Sequence, residues 1–295
     1  VALRRRDARV VPARFMVRIR HRGKVYRVRL RGGREVRVTG DHSLVVYPRD
    51  GERPVVRRAS ELRPGDMVPV VSELPLPQST PSLTDLIDEL AGAWDALYVE
   101  LGDVRELVVE AVRRVGRRRL ARLLGYADAQ ALRQKSLRLS AVRMLIEMTR
   151  REPGDVPVVA KSRASGRRYK LSLRALLSLD FARLLGYYIS EGTCCGGVAY
   201  VTSGSGEVLS DILGILERMG LRGSVVRAKG RSPAVRLPAV LSRVIVALGC
   251  GRRSGEKRLP RLFWRMPPDW RAELLKGYFS GDGWVCDRGI GACTK

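Results

Sequence analysis

The chain has 295 residues, of which 56 are Lys or Arg and 30 are Asp or Glu, so its formal net charge is +26. Apolar residues make up 45% of the sequence, which is enough to bury real cores and excludes a disordered basic tail. No apolar run approaches the ~20 residues that a membrane helix needs. The positive charge favours a polyanionic partner, above all nucleic acid. A GC-rich genome would explain the preference for Arg over Lys, but not the excess of basic over acidic residues.

The cysteines indicate the redox environment of the protein, and the chain ends indicate how much of it the sequence covers. The five cysteines form no Cys-x-x-Cys pair and the chain has only two histidines, so we expect no structural zinc site. An odd number of cysteines without a secretory signal is typical of reduced thiols in the cytoplasm. The chain starts at Val1 and ends at Lys295, soon after a Gly-rich turn. We interpret it as a fragment of a longer protein.

The first part of the sequence predicts a compact all-β module. Apolar and polar residues alternate in short runs that are separated by Gly-rich or polar turns. The predicted strands cover 14–20, 25–30, 35–39, 43–47 and 67–71. A linker rich in Pro and Ser follows over 72–84.

A change in the sign of the charge marks the next boundary. Residues 86–112 have a helical apolar period and are acidic, whereas 113–138 are strongly basic. Within the basic stretch we predict helices over 119–125 and 127–134, followed by a third over 139–148 with Ser140 as its N-cap. This is the form of a helix-turn-helix, although most such pairs are simply packed helices. The candidate DNA contacts are Arg117, Arg118, Arg119, Arg133 and Lys135.

The last part of the chain predicts a regular mixture of helices and strands. Residues 154–176 have the composition of a basic loop. After them we predict helices over 180–190, 208–219, 240–248 and 270–280, and strands over 198–202, 223–229 and 233–237. Basic side chains on and beside these strands could line a groove along a phosphate backbone. They are Arg222, Arg227, Lys229, Arg231 and Arg236.

Two of these helices carry the same nine-residue pattern. The segment Leu-Leu-Gly-Tyr-Tyr-Ile-Ser-Glu-Gly begins at 184, and Leu-Lys-Gly-Tyr-Phe-Ser-Gly-Asp-Gly begins at 275. Small residues four positions apart share one helix face, which allows two helices to approach closely. These helix-interface residues are Gly186, Ser190, Gly277 and Gly281.

The pattern ends in a carboxylate on each helix, Glu191 and Asp282, and each is followed by a glycine able to turn the chain. Two carboxylates side by side at helix C-termini repel each other and face the negative end of each dipole. A cation between them would reverse that penalty, and Mg²⁺ would activate water for attack on a phosphodiester. The alternative is a duplicated helix with acidic C-caps.

The repeated pattern resembles the two LAGLIDADG motifs of homing endonucleases. The resemblance implies that Glu191 and Asp282 hold the divalent metal. Glu in place of Asp in the first motif, and Ser or Gly before each acid, are mild departures. The segment Lys257-Arg-Leu-Pro260 is similar to the Lys-x-x-Pro block of the family, whose Lys orients the attacking water. The alternative role for Lys257 is that of an exposed loop cation that contacts phosphate.

The first module resembles the hedgehog/intein (Hint) fold. Residues 37–44 are similar to the Thr-x-x-His block of that family, and 59–68 to the segment that follows it. The resemblance implies that Thr39 and His42 polarise the first scissile peptide bond, so that an upstream Cys or Ser can take the acyl group. A lone His in such a turn is more often only a turn residue.

These resemblances together define the expected protein, a multidomain α+β intein fragment. Residues 1–73 would form the Hint splicing module, 74–175 the linker and helical DNA-binding insert, and 176–295 the endonuclease. The endonuclease would have a first α-β-β-α-β-β-α repeat and a second repeat that is truncated after its motif helix. We expect that this chain cannot splice by itself, because the first residue and the final His-Asn pair are missing, and that it cuts DNA weakly or not at all.

The expected partners are double-stranded DNA, bound more weakly as salt rises, and a host protein in cis. The tyrosine-rich first motif resembles that of inteins in archaeal DNA polymerases. No membrane partner is expected. The rival functions are a DNA-binding regulator, a degenerate intein without catalytic activity, and a free-standing endonuclease or maturase. DNA nicking that depends on a divalent metal would separate the endonuclease from the regulator.

Overall fold

The computed structural model describes residues 2–4, 7–9, 17, 20–47, 53–70, 79–91, 97–151, 154–161, 168–286 and 289–292. The chain divides into two compact units, Val1–Leu76 and Pro77–Lys295. In these parts of the chain, no helix combines the length and the apolar character that a membrane span requires.

The first unit consists of antiparallel hairpins. Its strands are β1 (Ala2–Arg4), β2 (Asp7–Arg9), β3 (Val25–Arg29), β4 (Glu35–Thr39), β5 (Ser43–Val46) and β6 (Val55–Arg58), paired in that order two by two. The described part of this unit buries two apolar residues, Val46 and Ala59, so its core is small.

The strands predicted at 25–30, 35–39 and 43–47 are confirmed within one residue, whereas β6 was not predicted. The strand predicted at 67–71 is wrong. Met67 makes only an isolated bridge to Tyr47, with N···O distances of 2.7 and 3.2 Å. Pro69 has no N–H group to continue such a ladder. Most of the strand predicted at 14–20 lies outside the described residues.

The second unit contains the helices and has one continuous apolar core, which extends from Leu83 to Leu274. Its helices are α1 (Leu83–Ala91), α2 (Arg105–Val115), α3 (Arg117–Leu123), α4 (Leu139–Thr149), α5 (Leu179–Glu191), α6 (Gly206–Arg218), α7 (Ala239–Ala247) and α8 (Pro268–Asp282). Its strands are β7 (Tyr98–Glu100), β8 (Ser136–Arg138), β9 (Pro157–Lys161), β10 (Arg168–Ser172), β11 (Gly192–Cys195), β12 (Val198–Thr202), β13 (Ser224–Val226), β14 (Ala234–Arg236), β15 (Gly283–Cys286) and β16 (Gly289–Ala292).

A four-stranded sheet in the order β10-β9-β7-β8 corrects two predictions. The helical period over 86–112 is interrupted, because β7 and a 3-10 turn separate α1 from α2. The predicted basic loop over 154–176 instead supplies β9 and β10. Val158 and Leu171, which are paired across these strands, are both buried. Tertiary burial of a few apolar residues therefore overrides the polar composition around them.

The predicted helix-turn-helix is wrong at its second helix. The first helix is present as α3, and Gly125 follows it with a left-handed φ of 74°. Residues 127–134 form only a short 3-10 helix, Ala129–Arg133, which begins where the Asp128 carboxylate accepts the Gln130 N–H at 3.0 Å. The chain then enters β8 rather than a recognition helix. The third helix is confirmed as α4, but its N-cap is Arg138 and not Ser140.

The second four-stranded sheet has the order β11-β12-β14-β13, and its elements run α5-β11-β12-α6-β13-β14-α7 along the chain. The helices predicted from residue 180 onward are confirmed as α5 to α8, and β13 and β14 are shorter than predicted. One face of the sheet is buried through Ala199, Val201 and Val235. On the other face, Arg236 is paired with both Tyr200 and Ser224.

Two short strands that the sequence did not predict follow the repeated helices. Strand β11 begins directly after α5, and β15 begins directly after α8. β15 pairs with β16 in the same way that β11 pairs with β12. The expectation that no strands follow the second motif helix is therefore wrong. Each helix leads into a hairpin through the residue after its carboxylate.

Candidate active site

The candidate active site is built on the contact between α5 and α8. Helix α5 begins at its N-cap Ser178, whose hydroxyl accepts the Phe181 N–H at 3.2 Å, and ends at Glu191. Helix α8 has Pro268 in its first turn, where no intrahelical N–H partner is needed, and ends at Asp282. The last residue of each helix is thus a carboxylate, and the two carboxylates occupy the same position of the nine-residue repeat.

The contact is reciprocal and is made by main-chain atoms. A Cβ on Gly186 would overlap the Leu274 carbonyl oxygen and lie 2.7 Å from the Tyr278 nitrogen. A Cβ on Gly277 would overlap the Arg183 carbonyl oxygen and lie 3.0 Å from the nitrogen of Tyr187. Leu274 and Tyr278 are equivalent to Arg183 and Tyr187 in the repeat, so a pseudo-twofold axis relates the two helices.

The same contact continues to the carboxylates. A Cβ on Gly281 would overlap the Ser190 hydroxyl and lie 3.0 Å from Cγ of Glu191. The Ser190 hydroxyl instead bonds back to its own helix, at 3.1 Å from the Tyr187 carbonyl oxygen. All four small residues identified in the sequence therefore lie at the helix contact, and only the smallest side chain fits at Gly281.

The glycines after the carboxylates do not have the conformation that we expected. Gly192 and Gly283 both have φ near −80° and an extended ψ, not the left-handed turn of a usual helix end. Their role is steric. A Cβ on Gly192 would overlap the carbonyl oxygen of Tyr188, and one on Gly283 would lie 2.7 Å from Cα of Phe279. These glycines let each strand leave its helix without a turn.

Glu191 and Asp282 lie together, and each faces the negative end of a helix dipole. Partial burial raises the pKa of Glu191, and the neighbouring Asp282 carboxyl raises this pKa further through charge repulsion and a hydrogen bond. Such a pair suits a hard divalent cation, which removes the repulsion. Among the described residues, no cluster of three or more His, Cys, Asp or Glu forms a fuller ligand set. Water and phosphate oxygens would therefore complete the coordination of any Mg²⁺ here.

Lys257 lies against the last turn of α5. Its ammonium donates a hydrogen bond to the Tyr188 carbonyl at 2.9 Å and sits over the Tyr188 ring, 3.3 Å from the centroid. Burial lowers the pKa of Lys257 to about 8. The lysine is thus not a freely exposed loop cation, because it is held one turn of helix before Glu191.

An ion-pair network that the sequence did not reveal joins three helices beside the glycine contact. Arg183 of α5 donates to Glu273 of α8 at 2.6 Å and approaches Asp211 of α6 at 3.3 Å. The Tyr187 hydroxyl donates to the same Asp211 at 2.8 Å. Burial and this hydrogen bond raise the pKa of Tyr187 to about 12. The bonded partners are 24 to 90 positions apart in sequence, and no local pattern connects them.

The ten basic residues that were predicted to contact DNA are all exposed. Three of them, Arg117, Arg118 and Arg119, form the first turn of α3. Arg133 ends the 3-10 helix and Lys135 follows it. The remaining five, Arg222, Arg227, Lys229, Arg231 and Arg236, lie on or beside the hairpin of β13 and β14. The basic residues therefore occupy two separate places in the fold of the second unit.

In the first unit, Thr39 and His42 occupy one tight turn. The His42 N–H donates to the Thr39 carbonyl at 3.1 Å. The carbonyl oxygens of the turn accept the Ala59 N–H at 2.8 Å and the Ser60 hydroxyl at 2.9 Å, so the two sequence blocks similar to Hint proteins are in contact. A hydrogen bond from the Thr39 side chain lowers the pKa of Asp41. The His42 side chain is exposed.

Comparison with known proteins gives this architecture a family. The chain matches the intein splicing domain over residues 5–238, so it belongs to that family. It is 28% identical to a DNA polymerase of Thermococcus hydrothermalis over 94% of the chain and 20% of that protein. It is also 28% identical to a DNA polymerase of Thermococcus kodakarensis, over 95% of the chain and 20% of that protein. Elongation factor 2 of Methanopyrus kandleri is 26% identical over 89% of the chain and 21% of that protein. The chain thus spans about a fifth of the length of these relatives.

A glycine exchange tests the main-chain contact. We predict that Gly277→Ala lowers the free energy of unfolding by about 2–3 kcal/mol, because its Cβ would push α5 away. The matched control is Gly214→Ala in α6, whose Cβ would meet only the flexible Arg218 side chain at 3.2 Å. This control should stabilise the protein by about 0.5–1 kcal/mol through helix propensity. Urea unfolding measures both, and equal effects would contradict the contact.

A pH series tests the carboxylate pair. Because the folded-state pKa of Glu191 is raised from 4.5, the folded protein loses stability as pH rises through that pKa. We predict that Glu191→Gln raises stability at neutral pH by roughly 0.5 kcal/mol, or ~1–2 °C in Tm, after allowing for solvent screening. The difference should vanish below pH 4.5. The exposed Glu217→Gln, near the end of α6, controls for the helix dipole and should show no comparable gain in thermal melts.

Proposed function

We propose that the protein is an intein segment that combines a splicing module with a DNA endonuclease. The observation that carries the endonuclease proposal is the reciprocal α5–α8 contact, which brings Glu191 and Asp282 together at the ends of equivalent helices. The order α-β-β-α-β-β-α before α8 and the basic hairpin beside the second sheet support it. The +26 charge supports a nucleic acid partner.

In the proposed reaction, Glu191 and Asp282 would hold a Mg²⁺ ion, and the chemistry that it would supply is activation of a water and stabilisation of charge on the scissile phosphate. Main-chain packing at Gly186 and Gly277 would determine where the two acids lie relative to each other. Lys257 would orient the attacking water from the side of α5. The basic side chains on β13, β14 and α3 would neutralise backbone phosphates and place the duplex on the sheet.

The relatives support an insertion into a host protein. A DNA polymerase and an elongation factor perform unrelated tasks, yet the chain matches about a fifth of each. A segment that is inserted in different hosts and excises itself would account for this. We propose a host in cis, with an archaeal DNA polymerase as the leading host because such proteins give the higher identities.

The splicing proposal assigns chemistry to Thr39 and His42. The imidazole can protonate a leaving amine, and the hydroxyl can donate to a developing oxyanion. The Thr39 side chain is hydrogen-bonded to Asp41, so this hydroxyl must turn away from Asp41 before it can serve a scissile carbonyl. Exposure of the His42 side chain leaves it accessible to a peptide bond that is brought to the turn.

Carboxylate variants separate the endonuclease from a DNA-binding regulator or a degenerate intein. A duplex is first selected from a randomised library by binding to the chain in EDTA, and is then incubated with Mg²⁺. We predict that Glu191→Gln and Asp282→Asn each reduce cleavage or nicking about 100-fold and leave the Kd for DNA nearly unchanged. The control Asp269→Asn, at the exposed start of α8, should cleave normally. Loss of binding with retained cleavage would reject the assignment, and binding without cleavage by the unchanged chain would favour the regulator.

A thiol-cleavage assay tests the splicing turn. The chain is extended upstream in its gene to the nearest Cys codon and fused to a tag, and release of the tag by dithiothreitol reports acyl transfer from nitrogen to sulfur. We predict that His42→Ala slows this release at least about tenfold, because the turn no longer protonates the leaving nitrogen. His21→Ala, which removes the other imidazole of this unit, is the control and should release the tag at the parent rate. Equal rates for both variants would contradict the role of His42.

A further inference from the structure

Tyr188 is completely buried in the last turn of α5, where it makes three hydrogen bonds and one cation–π contact. Its hydroxyl donates to the Gly251 carbonyl at 2.8 Å. The Tyr188 carbonyl accepts both the Gly192 N–H and the Lys257 ammonium. The face of its ring lies under that same ammonium. Tyr188 thus contacts both ends of the loop from 251 to 257. Its hydroxyl binds the first residue, and its ring and main-chain carbonyl bind the last.

This loop closes on itself through contacts between its own residues. Gly251 has a left-handed φ of 77°, and a Cβ there would overlap the Glu256 carbonyl. The Glu256 carboxylate accepts the Arg252 N–H at 3.1 Å, and the Lys257 N–H donates to the Ser254 carbonyl at 3.3 Å. The loop is attached to the rest of the unit through the Tyr188 hydroxyl and through a hydrogen bond between Cys194 and Arg252 at 2.9 Å.

The ammonium of Lys257 therefore has a defined direction. An ammonium has three N–H donors and no acceptor. One donor is used by the Tyr188 carbonyl, and the ring face attracts the cation. The other charged or titratable groups that face it are the Cys194 and Cys250 thiols and the Glu256 carboxylate. Both cysteines are free. A remaining donor can then point to water beside α5.

The equivalent position on the second helix shares only the main-chain bond, in which the Phe279 carbonyl accepts the Gly283 N–H. Phe279 occupies it, lacks a hydroxyl group, and is 37% exposed. The pseudo-twofold repeat thus keeps the glycine contact but not the tyrosine, which indicates that Tyr188 serves a purpose other than helix packing.

We propose that Tyr188 is the positioning residue for Lys257. Its ring and carbonyl hold the ammonium beside the C-terminus of α5, and its hydroxyl fixes the loop that carries the lysine. The consequence for DNA cleavage rests on the proposed function, whereas the placement of the ammonium does not. Two measurements therefore test the two statements separately.

The first measurement is NMR of the full chain labelled with [ε-¹³C]lysine. The chain has eight lysines, and Lys257→Arg assigns the resonance of interest. The ring current should shift the ε-CH₂ protons of Lys257 upfield in the parent chain. The shift should persist in Tyr188→Phe, which keeps the ring and the carbonyl, and be lost in Tyr188→Leu. Absence of the shifted resonance in the parent chain, or its survival in Tyr188→Leu, would overturn the proposal.

The second measurement is the rate of metal-dependent nicking on the selected duplex. Tyr188→Leu should lower kcat about 100-fold with little change in KM, and Tyr188→Phe about fivefold, the value of one hydrogen bond. Phe279→Leu, which removes the aromatic ring at the equivalent position of the second helix, is the control. If Tyr188→Leu and Phe279→Leu have equal effects on kcat, the positioning role in the reaction is wrong. If the parent chain does not nick at all, the result agrees with the weak cleavage expected of a truncated second repeat and rejects endonuclease activity of this chain, and NMR still decides whether Tyr188 positions Lys257.

Discussion

The close contact of two helix backbones determines the geometry of the second unit. Gly186 and Gly277 allow the main chains of α5 and α8 to touch, and each glycine faces the carbonyl and amide groups of the other helix. A contact without side chains leaves little room for sliding or for rotamer changes. The last residues of the helices, Glu191 and Asp282, and the hairpins that follow them are therefore placed by packing that begins two turns earlier.

The α5–α8 pair is electrostatically unfavourable at the C-terminal ends of its helices and is stabilised by ion pairs two turns earlier. Partial burial and the neighbouring Asp282 carboxyl raise the pKa of Glu191, and both carboxylates lie at the negative ends of their helix dipoles. Two turns earlier, the Arg183 guanidinium binds Glu273 and Asp211 across three helices. Lys257 adds a cation against the carbonyl end of α5. Ion pairs thus stabilise the helix pair at a distance from Glu191 and Asp282. A bound cation would relieve the repulsion between these two carboxylates.

The sequence predicts the helix pair well because its signal is local and repeated. Glycines and carboxylates at fixed offsets define the α5–α8 face, and the apolar period and the glycine after Glu191 define α5. Features made by distant residues were not predictable in this way. β9 and β10 have no strong alternation, the 3-10 helix at Ala129–Arg133 has a helical composition but too few residues, and the Arg183–Glu273 pair spans 90 positions. The role of Gly192 was also misjudged, because close approach and positive φ both require glycine and only coordinates distinguish them.

The asymmetry between Tyr188 and Phe279 has an evolutionary meaning. Because the interface of the two helices depends on main-chain atoms, it places few demands on the other residues of the repeat. Each half of a duplicated sequence can then accumulate substitutions without losing its partner, provided that the small residues remain. The two copies differ in this way: Tyr188 of the first is buried and holds the half-buried Lys257, whereas Phe279 of the second is exposed. Duplication followed by such divergence turns a symmetric scaffold into two halves with different tasks.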